Sequence, residues 1–340
     1  MHGSPLALNW LGGTMKNPKF AALAGLLFAA LASAGCAMGP SASGSFDRTL
    51  SVNAPIRLEF SNTSGNVSIT GSADGKVHVH GDARASGMGF ENPEKRMSDL
   101  LANPPIEQHG NTVRIGEEMR RLRNVNVSYV IEVPRDTEVA SSVLSGAQTI
   151  EDVRGPVKAE AASGSIRVSH IERQTQLSTL SGSIRADNIG DDIRANSASG
   201  TVTVSNIKGD VRISALSGST QITKPGGRVD ASTASGSVDV EGATSDVKAH
   251  AASGRVNVQG NPGASSYWDL KTASGSVLLG VPPNASFHLA AEAVSGEIKT
   301  DIPVVVEEQG KHSLRARVGS GNGGRIEIHT VSGEIRLRAS

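Results

Sequence analysis

With 340 residues, 3% aromatic side chains, and 33 basic residues against 33 acidic ones, the chain lacks both a thick aromatic core and a net charge. The neutral balance argues against a nucleic-acid binder, which would show a basic patch or stripe. The core must come from Val, Ile, Leu and Ala in thin layers. Length alone allows two average domains, although repeat proteins override that prior.

The chain opens with export signals over residues 1–36. Lys16 and Lys19 form a positive region after Met15, the more natural start. Phe20 to Leu31 follow as an apolar run of signal-peptide length, and Ala32-Ser33-Ala34-Gly35-Cys36 as small residues. The run is too short for a spanning helix. Cys36 is the only cysteine, so no intramolecular disulfide can form. Two cleavage readings compete. Ala-Gly-Cys resembles a bacterial lipobox, with Cys36 lipidated and Ala37 permitting sorting to the outer membrane. Ordinary cleavage after Ala34 would instead leave a free thiol. The lipoprotein is favoured, because a lone thiol is unusual in an exported chain. Residues 37–45 are small and Gly/Ser-rich, as expected of a flexible tether.

Residues 46–140 read as an irregular β region. Ile56, Leu58 and Phe60 alternate, then Val67 and Ile69, then Val77 and Val79. A short helix is expected after Asn92 as cap and Pro93 in the first turn. Met97, Leu100 and Leu101 lie on one face, and Asn103-Pro104-Pro105 stops it. Its expected role is a flap over the open end of the C-terminal β region. Arg120, Arg121 and Arg123 read as a solvated segment.

From 141 to 340 a repeat dominates. Ser-Gly begins at 145, 163, 181, 199, 217, 235 and 253, each 18 residues after the last, then at 274, 295 and 332, with an earlier copy at Ser64. With the serine as column one, apolar residues recur in columns four, six, nine, thirteen, fifteen and eighteen. In the unit from Ser199 these are Val202, Val204, Ile207, Val211, Ile213 and Leu216; Ala198 and Ala252 take column eighteen in other units. Each unit is expected to hold two short strands, a corner near column nine and a Ser-Gly turn. The glycine is needed for positive φ and close approach of neighbouring coils, and the serine to hydrogen-bond nearby backbone. Stacked units give an all-β, single-stranded β-helix, a β-solenoid with 18-residue rungs. Trp268 and Phe287, in longer units, are expected to fill the core rather than form a sugar platform. Residues 300–324 interrupt the columns and predict a projecting hairpin turning at Gln309-Gly310.

Several of these segments resemble the bacterial "putative adhesin" β-strand-repeat family, a domain of unknown function similar to autotransporter adhesin head repeats. The resemblance rests on Tyr129-Val130-Ile131-Glu132-Val133-Pro134, the repeated Ser-Gly-x-Ile/Val units, Gly319-Ser320-Gly321-Asn322-Gly323-Gly324 and Thr330-Val331-Ser332-Gly333-Glu334-Ile335. It implies the solenoid fold over roughly Ile56 to Arg338 and brings no catalytic residues.

No residue set points to catalysis, a cofactor or a metal. Column twelve holds Asp192, Asp210 and Asp246, interrupted by Arg228. Column fourteen mixes Lys158, Arg194, Arg212 and Lys248 with Gln176 and Asp230, as in a solvated face. His78 and His80 lie two apart on a strand with no clear carboxylate partner. Pockets are expected only near 87–109 and 300–324, which carry Glu91, Glu94, Asp99, Glu107, Glu307 and Glu308. Ser and Thr in columns three and seventeen are too irregular for an ice-binding face. The favoured function is a lipid-anchored envelope protein acting as an adhesin-like binding or scaffold module. It would sit at the outer membrane, facing periplasm or surface, with a protein or glycan partner. A carbohydrate-active lyase or hydrolase, and a periplasmic envelope-stress partner, are the alternatives.

Overall fold

The unit from Ser199 shows how the sequence makes a coil. In the computed structural model, which describes residues 41–87, 92–117 and 124–340, this unit forms the strands Val202–Ile207 and Val211–Ser217. Val202, Val204, Val211 and Ile213 point inward and are buried, while Arg212 points outward, the period-two pattern of a strand with one covered face. At the end of the first strand Asn206 takes φ +55°, which swings Ile207 inward as well. Asp152, His170, Asn188 and Lys224 do the same at φ between 52° and 58°. Asn and Asp tolerate this left-handed region better than most residues. The second corner is Ser-Gly. There the N–H of Gly200 donates to the Ser217 carbonyl at 3.1 Å, and every regular corner repeats this backbone bond. The corner is thus held by main chain, not by the serine hydroxyl that sequence reasoning assigned to it.

Each strand pairs in parallel with its counterpart in the next coil, as Val202 with Thr220 and Val211 with Val229. The described strands form two sheets, of 14 and 15 strands, whose inward rows meet in one aliphatic cluster. The solenoid therefore has two faces. Ile213 is fully buried, so Ile213→Ala is expected to cost ~2–5 kcal/mol. The adjacent Arg212→Ala should stay within ~0.5 kcal/mol. Chemical denaturation of both variants checks the assignment; equal small effects would overturn it.

One column is corrected. Leu216, Ala198 and Ala252, expected in the core, face outward, and Leu216 is 64% exposed. The inward position is column seventeen, with Ala215, Thr179, Ser197 and Thr233. This also removes column seventeen from any exposed Ser/Thr face.

At both ends the coils do not stack in chain order. The coil of Arg57–Ser64 and Val67–Ser72 lies directly on that of Glu138–Ser145 and Gln148–Glu151. Described strands from the intervening chain form the outer cap. Thr112–Ile115 and Val125–Pro134 add the terminal parallel strands, and the antiparallel strands Lys76–Ser86 and Ser41–Ser51 extend the first sheet. The division at residue 140 thus separates no bodies, and Pro40–Ser340 is one unit. Ser41–Ser45, expected in the tether, already belongs to a strand because it pairs with the backbone of Asp82 to Ser86. Phe46, Phe60 and Tyr129 pack edge-to-face with ring centroids 6.1 and 5.2 Å apart. The helix Pro93–Ala102 is present as read. Asn92 Oδ1 accepts from the N–H groups of Glu94 and Lys95, and Met97 and Leu100 are buried where the helix packs on the two antiparallel strands.

The C-terminal end repeats the exchange. The last coil, Gly324–Ser332 and Ile335–Ala339, lies between the coil from Tyr267 and the coil from Phe287. The hairpin is corrected in part. Its strand Ser313–Val318 docks antiparallel on Phe287–Ser295 with Leu314, Ala316 and Val318 buried, and only the strand Val305–Gln309 stays exposed on both sides. Trp268 and Phe287 are fully buried core residues.

Candidate binding groove on the second sheet

The exchange of coils builds a site that no column of the sequence displays. In column sixteen the first regular coil carries Glu160 and the next four carry Ser178, Asn196, Ser214 and Ser232. The last four coils carry His250, Lys271, Glu292 and His329 instead. Strand register places them in the spatial order His250, Lys271, His329, Glu292, because the final coil brings His329 between the other two. Neighbours in such a ladder stand ~4.8 Å apart. Column eighteen, with Ala234, Ala252, Ala273, Val331 and Val294, forms the opposite, apolar wall. Between the walls runs a groove of about 1050 Å³, floored by Ala251, Thr272 and Thr330 and bounded at its end by His312 and Ser313 of the hairpin.

The polar wall is internally braced. His329 Nδ1 lies 3.5 Å from Glu292, and His312 Nδ1 3.2 Å from the Gly296 carbonyl. Behind it, Asp269 accepts from Lys271 at 2.9 Å and pairs with His250 Nε2 at 3.0 Å. Burial pushes the Asp269 carboxyl up, but the hydrogen bonds from Lys271 and His250 outweigh it and hold the group below the usual carboxylate range. On the flank, Tyr267 donates to Glu327 at 2.6 Å, and that bond together with burial pushes its hydroxyl up to about 12. The wall is therefore a fixed set of hydrogen-bonding groups of both signs beside a strip of methyl groups. That arrangement can orient a partner with one polar and one apolar side.

The residues singled out from sequence fall elsewhere. Asp192, Asp210 and Asp246 accept the backbone N–H of the column-twelve residue one coil on, at 2.8, 2.8 and 2.9 Å, and so staple successive corners. Arg212 pairs with Asp230 at 3.6 Å. Glu307 and Glu308 pair with Arg317 and Arg315 across the hairpin, and Glu107 with His109. Cys36, Arg120, Arg121, Arg123 and Glu91 lie outside the described residues. His78 and His80 do have carboxylate partners, Asp74 and Asp47, each at 2.7 Å. Among the described residues no group of His, Cys, Asp and Glu has the arrangement of a metal site.

The His80 pair ties Ser41–Ser51 to Lys76–Ser86, and the hydrogen bond that the His80 ring donates to the Asp47 carboxylate raises the His80 pKa. A raised folded value means that this stabilisation is complete below the unfolded histidine value of ~6.5 and is lost as pH rises through the folded one. Amide-exchange protection of Ser41–Ser51, measured relative to His80→Gln, should therefore fall as pH rises through that window. A pH-independent ratio would contradict the pairing.

A two-sheet parallel β-solenoid, extended at its ends by antiparallel strands, defines the fold class. The chain belongs to the Toastrack DUF4097 family, whose model matches residues 115–338, more than half of the chain. Similar solved structures include a "putative cell adhesion protein" from Clostridium sporogenes, 12% identical over 88% of this chain and 100% of that one, with a TM-score of 0.23. Another is a "putative adhesin" from Bacteroides fragilis, 10% identical over 87% of this chain and 97% of that one, with a TM-score of 0.31. No curated protein matches.

Proposed function

We propose that this protein is an exported, lipid-anchored module of the bacterial envelope that binds its partner non-enzymatically, in the manner of an adhesin. The observation that carries the reading is the groove itself, with its in-register wall of His250, Lys271, His329 and Glu292 facing a wall of Ala and Val. A parallel stack holds these groups on strands rather than loops, so a partner meets a preorganised surface. Trp268 and Phe287 are buried in the core, and the exposed ring of Tyr267 lies outside the groove lining with its hydroxyl tied to Glu327, so the groove itself presents no ring for stacking on sugars. An extended protein segment, with side chains alternating between the two walls, suits the groove best.

The test uses the protein purified from its own envelope, with captured proteins compared between wild type and Lys271→Ala/His329→Ala. The double variant should keep the wild-type melting temperature and lose the captured protein. Undiminished capture would overturn the groove as the site. Binding on a glycan array without protein capture would replace the ligand class, and turnover of polysaccharides would overturn the non-enzymatic reading. The anchor is tested separately. The protein should label with a palmitate analogue at Cys36, and Cys36→Ala should abolish labelling. An unlabelled, water-soluble wild-type protein would refute lipidation. One acyl chain anchors only marginally, so stable retention implies more than one.

A further inference from the structure

Column eighteen is an exposed apolar stripe along the second sheet, outside the groove as well as in it. In successive coils from the N-terminal end it reads Leu144, Ala162, Leu180, Ala198, Leu216 and Ala234. Their serines stack in register from Ser145 through Ser235, so these side chains lie one above another. Leu144, Leu180 and Leu216 are 57%, 65% and 64% exposed. The alternation makes knobs separated by gaps two coils apart, and Ala162 lies in a depression of about 540 Å³ bordered by Leu144 and Leu180.

We infer that this stripe is the interface of a two-fold homodimer, in which two copies run antiparallel and each leucine fills a partner's alanine gap. The pattern is complementary to its own reversal. A two-fold axis between the levels of Leu180 and Ala198 sets Leu180 opposite the partner's Ala198, Leu216 opposite the partner's Ala162, and Leu144 opposite the partner's Ala234. No leucine meets a leucine, which is the self-matching that an isologous contact requires. The borders permit close approach. Ser181, Ser199 and Ser217 flank one side, and Ser178, Asn196 and Ser214 the other. Over these six coils the only charge in column sixteen is Glu160, which is paired with Lys158 at 2.8 Å and would face the partner's Ser214.

With Thr63 and Ala252 at the ends, the overlap covers about eight coils, roughly 34 Å at ~4.8 Å per coil. At ~15–20 Å width that buries roughly 500–700 Å² per copy, somewhat below the ~800 Å² of a standard stable interface, which fits a reversible dimer. The groove at the C-terminal coils falls largely beyond this overlap, so dimerisation would present two grooves at opposite ends of one particle.

Sedimentation equilibrium on the full chain carrying Cys36→Ser, in detergent, should show a monomer–dimer equilibrium. Leu180→Asp and Leu216→Asp should each raise the dimer dissociation constant roughly tenfold or more without lowering the melting temperature. If either unfolds the chain, Leu180→Ala serves in its place. In a Cys36→Ser background, a mixture of the single variants Leu180→Cys and Ala198→Cys should form an intermolecular disulfide between unlike chains, whereas a mixture of Leu180→Cys and Leu216→Cys should not. A monomer at all concentrations, dimers indifferent to both aspartate variants, or equal cross-linking of the two cysteine pairs would overturn the inference.

Discussion

Gly200→Val is expected to cost at least ~4 kcal/mol, enough to unfold the stack at ambient temperature or leave it marginal. Two independent causes act at that position. Gly200 has φ +132°, a conformation that a β-branched residue does not adopt without strain. A Cβ there would also fall 2.0 Å from the Gly182 carbonyl oxygen of the preceding coil. The neighbour cannot retreat, because it is backbone and the Gly182 N–H is itself bonded to the Ser199 carbonyl. Gly182, Gly218 and Gly236 repeat the contact, so relief at one corner strains the next. Urea titration of wild type and variant measures the loss; a change below ~1 kcal/mol would show that the corners are not in contact.

Trp268→Ala should cost ~3–5 kcal/mol. The indole is fully buried, and its Nε1–H donates to the Ser245 carbonyl at 2.8 Å. Register places it between Val247 and Ile326, in a 21-residue unit three residues longer than the regular coils. Truncation leaves a cavity inside a stack held on both sides, so the walls cannot collapse, and it removes a hydrogen-bond donor. Trp268→Phe should recover most of the packing but not the bond to Ser245. If both variants cost the same small amount, the side chain does not fill the core.

The period of 18 and the inward columns four, six, nine, thirteen and fifteen were legible because parallel stacking repeats the same environment at the same column. Column eighteen misled for a physical reason. Alternation runs inward through thirteen, fifteen and seventeen, but seventeen holds Thr179, Ser197 and Thr233, while the outward eighteen holds Leu180 and Leu216. Polarity and periodicity disagree there, and periodicity decides the side. The groove was hidden more deeply. A shift to His250, Lys271, Glu292 and His329 in column sixteen was visible, yet the columns of all coils are interchangeable. Nothing in the pattern says that the coil from Gly324 pairs with the coil from Tyr267. Only the return of the chain after the hairpin, seen in three dimensions, puts His329 between Lys271 and Glu292. Asp192, Asp210 and Asp246 likewise looked like loose surface charge until the next coil supplied the N–H groups they accept.

That coil order is the feature on which the groove and its binding role depend, and disulfide trapping reads it directly. In a Cys36→Ser background, Lys271→Cys/His329→Cys should oxidise to an intramolecular disulfide, since the two positions are cross-strand partners. Lys271→Cys/Glu292→Cys should stay reduced, because the intervening strand separates them by ~9.6 Å, beyond the ~7 Å limit for bridging. The reverse outcome, with Lys271 bridging to Glu292 and not to His329, would mean that the coils stack in chain order and that the proposed groove does not exist.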